Sequence, residues 1–189
     1  MKVLLVDNHD SFTYNLVNIL RKNKQVVLEV VKNDEIKLDE VAKFDKIIFS
    51  PGPDIPKQGD IMWQILDRYK NEKSILGVCL GMQAIGLYFG AKLTNLQKVF
   101  HGVTRQIEIL DPGELLYKTI ESPFIGGLYH SWIVDESAFP RELKITAKSE
   151  YGIIMSLRHL KYDISGVQFH PESVMTPVGE RMIENWLGV

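Results

Sequence analysis

Between Lys73 and Lys92 the chain runs for eighteen residues without a formal charge, "SILGVCLGMQAIGLYFGA". That is about the length at which a membrane-crossing helix is suspected, roughly 18 apolar residues. The segment does not read as one. Gly77, Gly81, Gly86 and Gly90 divide it, Gln83 lies inside it, and "SILGV" ahead of Cys79 is too short to be a helix. A buried parallel strand that hands over to a buried helix accounts for all of these positions. Such a unit needs cover on both faces, so the fold class depends on the pattern of the remaining segments.

Those segments repeat the same unit. "KVLLVD" (2–7) and "KIIFS" (46–50) are short continuous apolar runs, as strands covered on both faces should be, and "QVVLEVV" (25–31) reads as another. After the first run Phe12, Leu16, Ile19 and Leu20 recur at helical spacing, with Asp10 or Ser11 placed to cap. Ile61, Ile65 and Tyr69 mark a second helix face. Strands alternating with helices predict an α/β fold with a central, mostly parallel, doubly wound sheet.

From about residue 92 the runs shorten and fill with β-branched and aromatic residues: "VTRQIEIL", "LYHSWIV", "LKITAKS", "GIIMSLRH" and "ISGVQFH". These predict additional antiparallel strands in the C-terminal half, beside or on the parallel sheet. "TPVGERMIENWLGV" predicts a terminal helix with Thr176 as its cap and Pro177 at its first position. There is no repeat, low-complexity tract or linker, and 45% hydrophobic content is ample for a core, so residues 1–189 are expected to form one domain.

Charge and cysteine usage narrow the function classes. A net charge of -2 points to neither a nucleic-acid nor a membrane partner. One cysteine cannot form an intramolecular disulfide. The V-L-L-V run ahead of Asp7 is too short for the apolar part of a signal peptide, and a cytoplasmic location is expected.

That single thiol, Cys79, stands in a Gly-x-Cys-x-Gly frame at the carboxyl end of a predicted strand, where open α/β sheets bind ligands. Small neighbours at Gly77 and Gly81 would let the backbone bend and a substrate approach, and the next helix would direct its positive end at the sulfur. The frame therefore predicts an exposed nucleophile. A thiol nucleophile needs a base, and the base needs an orienter. "GVQFHPES" offers both: on an extended backbone His170 and Glu172 would project together, the carboxylate holding one imidazole nitrogen while the other faces sulfur. Taken alone this spacing would equally describe a strand-end histidine beside a solvated glutamate; the Cys79 elbow decides for the catalytic reading.

With these residues in view the chain resembles the class I, triad-type glutamine amidotransferases. The matching pieces are "SPGP" (50–53), "GVCLGMQ" (77–83), "YHS" (129–131) and "GVQFHPES" (166–173), in the family's order. "DNHDSFTYNL" (7–16) and "HG" (101–102) further resemble the glutaminase subunits of anthranilate synthase and aminodeoxychorismate synthase. The resemblance implies that Cys79 attacks the side-chain amide of L-glutamine, His170 moves protons and Glu172 orients it. It places the backbone N–H groups of Gly52 and Leu80 in an oxyanion hole, Gly52 being able to take an unusual φ. It implies a glutamine pocket from Gly52, Pro53, Asp54, Gln83, Ser131 and Trp132, the last two through backbone groups. Asp54 departs from the glycine the family commonly has there, and aspartate takes a left-handed conformation less readily.

The resemblance also implies a partner: a chorismate-binding synthase subunit that receives the ammonia, and that carries the Mg2+. No metal or cofactor is expected in this chain, since His9, His101, His130 and His159 are scattered. His130, next to the pocket motif, is placed to shape it. "DNHDSFTYN" would follow the first strand at the same sheet edge as Cys79, which suggests a substrate-side or partner-facing role, whereas "PRELKITAK" (140–148) reads as solvated surface. General likeness of the C-terminal stretch leans toward aminodeoxychorismate, hence p-aminobenzoate, over anthranilate. The competing readings are a glutaminase serving another synthetase, a stand-alone thiol hydrolase, and a binding subunit without turnover.

Overall fold

The computed structural model describes residues 1–97 and 99–189. Its strands and helices run β1 (Lys2–Asp7), α1 (Thr13–Lys22), β2 (Val27–Lys32), β3 (Lys46–Phe49), α2 (Ile61–Tyr69), β4 (Ser74–Val78), α3 (Leu80–Tyr88) and β5 (Leu93–Asn95) in the first half. The second half adds β6 (Val103–Ile109), β7 (Phe124–Leu128), β8 (Trp132–Val134), β9 (Leu143–Ser149), β10 (Ile154–His159), β11 (Ile164–Val167) and α4 (Gly179–Leu187). The large sheet has nine strands in the order β2-β1-β3-β4-β11-β10-β9-β6-β7, and β5 pairs with β8 in a separate two-stranded sheet.

The continuous apolar runs are explained by cover on both faces. Along β1, Val3 and Leu5 belong to one core and Leu4 and Val6 to the other. The first core takes Leu16, Val17 and Leu20 of α1 with Met182, Ile183 and Trp186 of α4. The second takes Ile65 and Leu66 of α2 with Met82 and Ile85 of α3. Burying a Leu or Ile side chain contributes about 1.5–3 kcal/mol, so the strand centres hold the α/β layers together. The edge strand β2 differs: it is only partly covered, and Val27 is exposed. Among the described residues no helix is long and apolar enough to cross a membrane.

Four sequence expectations change. "ISGVQFH" is not an antiparallel addition: its strand β11 lies parallel to β4, with Ile164 opposite Ile75 and Val167 opposite Val78. β2, β1, β3, β4 and β11 thus run parallel, and the antiparallel part begins only at β10. "LYHSWIV" is not one strand: β7 ends at Leu128, β8 starts at Trp132, and Tyr129–Ser131 turn off the sheet between them. Neither Asp10 nor Ser11 caps α1, whose preceding residue is Phe12; the Asp10 carboxylate instead accepts from the Phe12 N–H at 2.7 Å, and Asp7 accepts from Thr13 Oγ1 at 2.9 Å. Thr176 does not cap α4 and Pro177 is not its first residue, since the helix begins at Gly179 behind Val178. Its hydroxyl donates to the His170 carbonyl at 2.7 Å and accepts from the Gly127 N–H at 3.0 Å, so Thr176 ties the loop after β11 to β7.

Candidate active site

Cys79 occupies the single residue between β4 and α3, with φ +52° and ψ -99°. A side chain at positive φ is unfavourable, and such strain persists only where the surroundings impose it. Here the Cys79 N–H donates to Val167 of β11 at 2.7 Å and the Cys79 carbonyl accepts from Gln83 of α3 at 3.1 Å. The flanking glycines have a different job from the one their frame suggested. A Cβ on Gly77 would lie 2.4 Å from the Gly81 carbonyl carbon, and one on Gly81 would lie 2.6 Å from the Phe49 carbonyl oxygen. They let α3 press onto β3 and β4, and Cys79 is buried, with 6% of its surface exposed.

A cavity of about 170 Å3 opens beside the sulfur. Gly52, Pro53, Asp54, Cys79, Leu80, Gln83, Ser131 and Trp132 all line it, together with Tyr129 and His130. Leu80 is the first residue of α3, so its N–H has no helical carbonyl to bond. Gly52 does not have a positive φ, contrary to expectation. It is glycine for space: a Cβ would meet Leu80 Cδ2 at 2.5 Å and Asn8 Cβ at 2.7 Å. Asn8, buried at the end of β1, pins this loop by donating to the Ser50 carbonyl at 3.0 Å and accepting from Asn33 at 3.2 Å. The positive φ falls on Asp54, at +64°, the left-handed conformation that makes glycine the easier residue there.

The imidazole whose charge is coupled to Cys79 comes from the far end of the chain. His170 and Glu172 lie beyond β11 in a tight turn, closed by the Ser173 N–H donating to the His170 carbonyl at 3.1 Å, and not on extended backbone. The turn still brings them together: His170 Nδ1 is 2.7 Å from Glu172 Oε1, and the Glu172 side chain is 0% exposed. Burial works against charge on His170, but negative charge on Cys79 and the Glu172 carboxylate outweigh it and push the imidazole pKa up to about 10. The ring is packed against Phe12 at 5.3 Å and Tyr129 at 4.9 Å.

Gln83 reaches across the cavity floor, donating to the Trp132 carbonyl at 2.9 Å and to Gln168 Oε1 at 3.2 Å. Gln168 donates in turn to Cys79 Sγ at 3.4 Å. The carbonyls of Ser131 and Trp132 are both engaged within the chain, the first by the Leu96 N–H at 2.7 Å. His130 is buried beside them, its Nδ1 3.1 Å from the Trp132 carbonyl, and burial pushes its pKa down to about 4. Residues to which sequence reasoning gave no individual part in the site are Gln168, Tyr129, Phe12 and Asn8. Each lay inside a quoted motif, but nothing local marks which motif members contact Cys79, His170 or the loop at Gly52.

Comparison with known proteins shows the family of the chain. The family model described as glutamine amidotransferase class-I matches residues 4–188. A Haemophilus influenzae protein provisionally named anthranilate synthase component II is 41% identical over 189 residues, spanning 100% of this chain and 97% of the relative. The aminodeoxychorismate/anthranilate synthase component 2 of Bacillus subtilis (strain 168) is 37% identical over 187 residues, spanning 98% and 95%. A Thermoplasma acidophilum crystal structure, provisionally named as one subunit of GMP synthase, superposes with TM-score 0.88 at 26% identity, covering 100% of this chain and 92% of that one. The chain belongs to the class-I glutamine amidotransferases.

Proposed function

We propose that the chain is the glutaminase subunit of a chorismate-aminating synthase: it hydrolyses L-glutamine to glutamate and passes ammonia to a chorismate-binding partner. The observation that carries this is Cys79 on a strained strand-to-helix turn, beside a cavity, with the buried His170–Glu172 pair behind it. Cys79 Sγ attacks the side-chain amide carbon, and the oxyanion takes hydrogen bonds from the N–H groups of Leu80 and Gly52. His170 protonates the departing nitrogen, which leaves as ammonia, and a thioester remains. His170 then takes a proton from water, whose oxygen attacks the thioester and releases glutamate and the thiol. Glu172 holds the imidazole and stabilises its charged form. Gln83, Ser131, Trp132, Pro53 and Asp54 surround the glutamine.

Ammonia is a nucleophile only while unprotonated, so transfer across a closed interface serves the reaction better than release to water. Chorismate and Mg2+ belong to the partner in this reading, with the 189 residues acting as one cytoplasmic domain. The relatives' names span anthranilate and aminodeoxychorismate synthesis, and the partner sets which product forms. The structural likeness to a GMP synthase component keeps a second reading, service to a nucleotide-making synthetase. Copurification with a chorismate-using enzyme, and assay of the pair for anthranilate and aminodeoxychorismate, separates the two. Cys79→Ser is expected to abolish glutamine-dependent amination by that pair while sparing amination from ammonium salts. Loss of both activities in a folded complex would refute the assignment.

A further inference from the structure

We infer that Gln168 is a positioning residue for the nucleophile: it holds the Cys79 sulfur in its anionic form, with a polarity imposed on it through Gln83 by the Trp132 carbonyl. The inference rests on the reading of Cys79 as nucleophile and adds to it a residue outside the Cys79, His170 and Glu172 set.

The argument starts at the end of the chain of contacts farthest from sulfur. A backbone carbonyl can only accept, so the Gln83 atom 2.9 Å from the Trp132 carbonyl is the amide nitrogen. The same nitrogen has a second N–H, which meets Gln168 at 3.2 Å. A donor must meet an acceptor, so the Gln168 atom there is Oε1. With its oxygen turned to Gln83, Gln168 presents only Nε2 to Cys79 Sγ, at 3.4 Å. Free of this relay a glutamine beside a thiol could turn its oxygen to the sulfur and accept from S–H, which would favour the protonated form. The relay removes that option. A hydrogen bond donated to a charged acceptor is about twice as strong as one to a neutral acceptor, so a fixed donor favours thiolate over thiol.

Burial and backbone support make the arrangement rigid. Gln168 is 0% exposed, and its own N–H donates to the Met155 carbonyl of β10 at 2.8 Å. Water cannot replace a donor there. Sulfur thus takes a hydrogen bond from the Gln168 amide in addition to the electrostatic influence of His170. Gln168 does not reach the cavity wall, so it acts through sulfur and not by touching glutamine.

The test is the pH dependence of Cys79 alkylation by iodoacetamide in the purified full chain, a readout that needs no turnover. Gln168→Leu is expected to raise the midpoint by about one pH unit, equivalent to about tenfold slower alkylation below the midpoint. Gln168→Glu, which still accepts from Gln83 but turns negative charge toward sulfur, is expected to raise it further. Gln83→Leu, which frees Gln168 to turn, is expected to give a smaller rise, and the double variant with Gln168→Leu no more than Gln168→Leu alone. An unchanged midpoint in folded Gln168→Leu overturns the inference. Where neither Gln168 variant folds, Gln83→Leu decides by the same criterion. Failure of the underlying reading looks different: Cys79→Ser would then keep hydrolysing glutamine, whatever the alkylation midpoint does.

Discussion

In the proposed mechanism, replacing Glu172 by glutamine separates orientation of the base from its chemistry. One carboxylate oxygen lies 2.7 Å from His170 Nδ1, the other meets no partner, and the side chain is wholly buried. Its hydrogen bonding is therefore devoted to the imidazole. A hydrogen bond to a charged group contributes about 1.5–3 kcal/mol and a neutral one about 0.5–1.5. The substitution keeps the contact and loses the charge, a difference of about 1–2 kcal/mol, or about 5–30-fold in rate. The new amide also places N–H donors where nothing accepts them, which costs about 1–3 kcal/mol of stability and about 2–4 °C in Tm for each kcal/mol. With Glu172 neutral, burial weighs more on His170 and its pKa falls from about 10. Since that value lies above the roughly 6.5 of an unfolded histidine, the stability it brings is complete below pH 6.5 and fades as pH rises toward 10. In the variant that fading should be smaller and should be complete at lower pH. Glutamate release by the partnered enzyme, with ammonium-dependent amination as the control, gives the rate; thermal melts against pH give the stability. His170→Ala should cost far more, about 10²–10⁴-fold. If Glu172→Gln were as damaging as His170→Ala, or harmless, Glu172 would not be an orienter.

His130 should give the fold an acid-sensitive step: its folded pKa is about 4 and an unfolded histidine titrates near 6.5, so stability is intact above pH 6.5 and falls toward pH 4, by up to about 3 kcal/mol. Denaturant melts of wild type and His130→Met should show that slope flattened in the variant, and equal slopes would refute it. Gly81→Ala puts a methyl 2.6 Å from the Phe49 carbonyl oxygen, so α3 must shift; about 1–3 kcal/mol of stability and most glutaminase activity should go together, and an unshifted Tm would show that α3 has slack. Asp54→Gly removes a side chain from a residue at φ +64°. Relief of strain and added freedom in the unfolded chain nearly cancel in stability, but the loop at "SPGPD" becomes easier to rearrange, so glutamate release without partner should rise. Full wild-type turnover without any partner would end the idea that this loop is gated.

The legible part of this protein is the part with local causes. Val3 to Val6 read as a strand covered on both sides because the apolar run, ended at once by Asp7, is too short for a buried helix. The step from β4 to α3 showed in the change from "SILGV" to a helical run, and the pairing of His170 with Glu172 in their two-residue separation. Other features depend on which segment lies alongside. "ISGV" carries no mark of its direction; β11 is parallel because it pairs with β4 and not only with β10. Gly77, Gly81 and Gly52 looked like points of flexibility, and are glycines because other backbone or side chains occupy the space a Cβ would need. Thr176 had the look of a cap, yet its hydroxyl is consumed between His170 and Gly127, 49 residues away from the latter. The contact of Gln168 with Cys79 spans 89 residues. Sequence alone determined the first strands, the helices that follow them and which side chains are candidates for chemistry, because periodicity and residue chemistry are properties of neighbours along the chain. Only the tertiary structure decided that Cys79 is buried under strain, that His170 and Glu172 meet in a turn, and that a buried amide faces sulfur, because those follow from packing between segments that share no local signal.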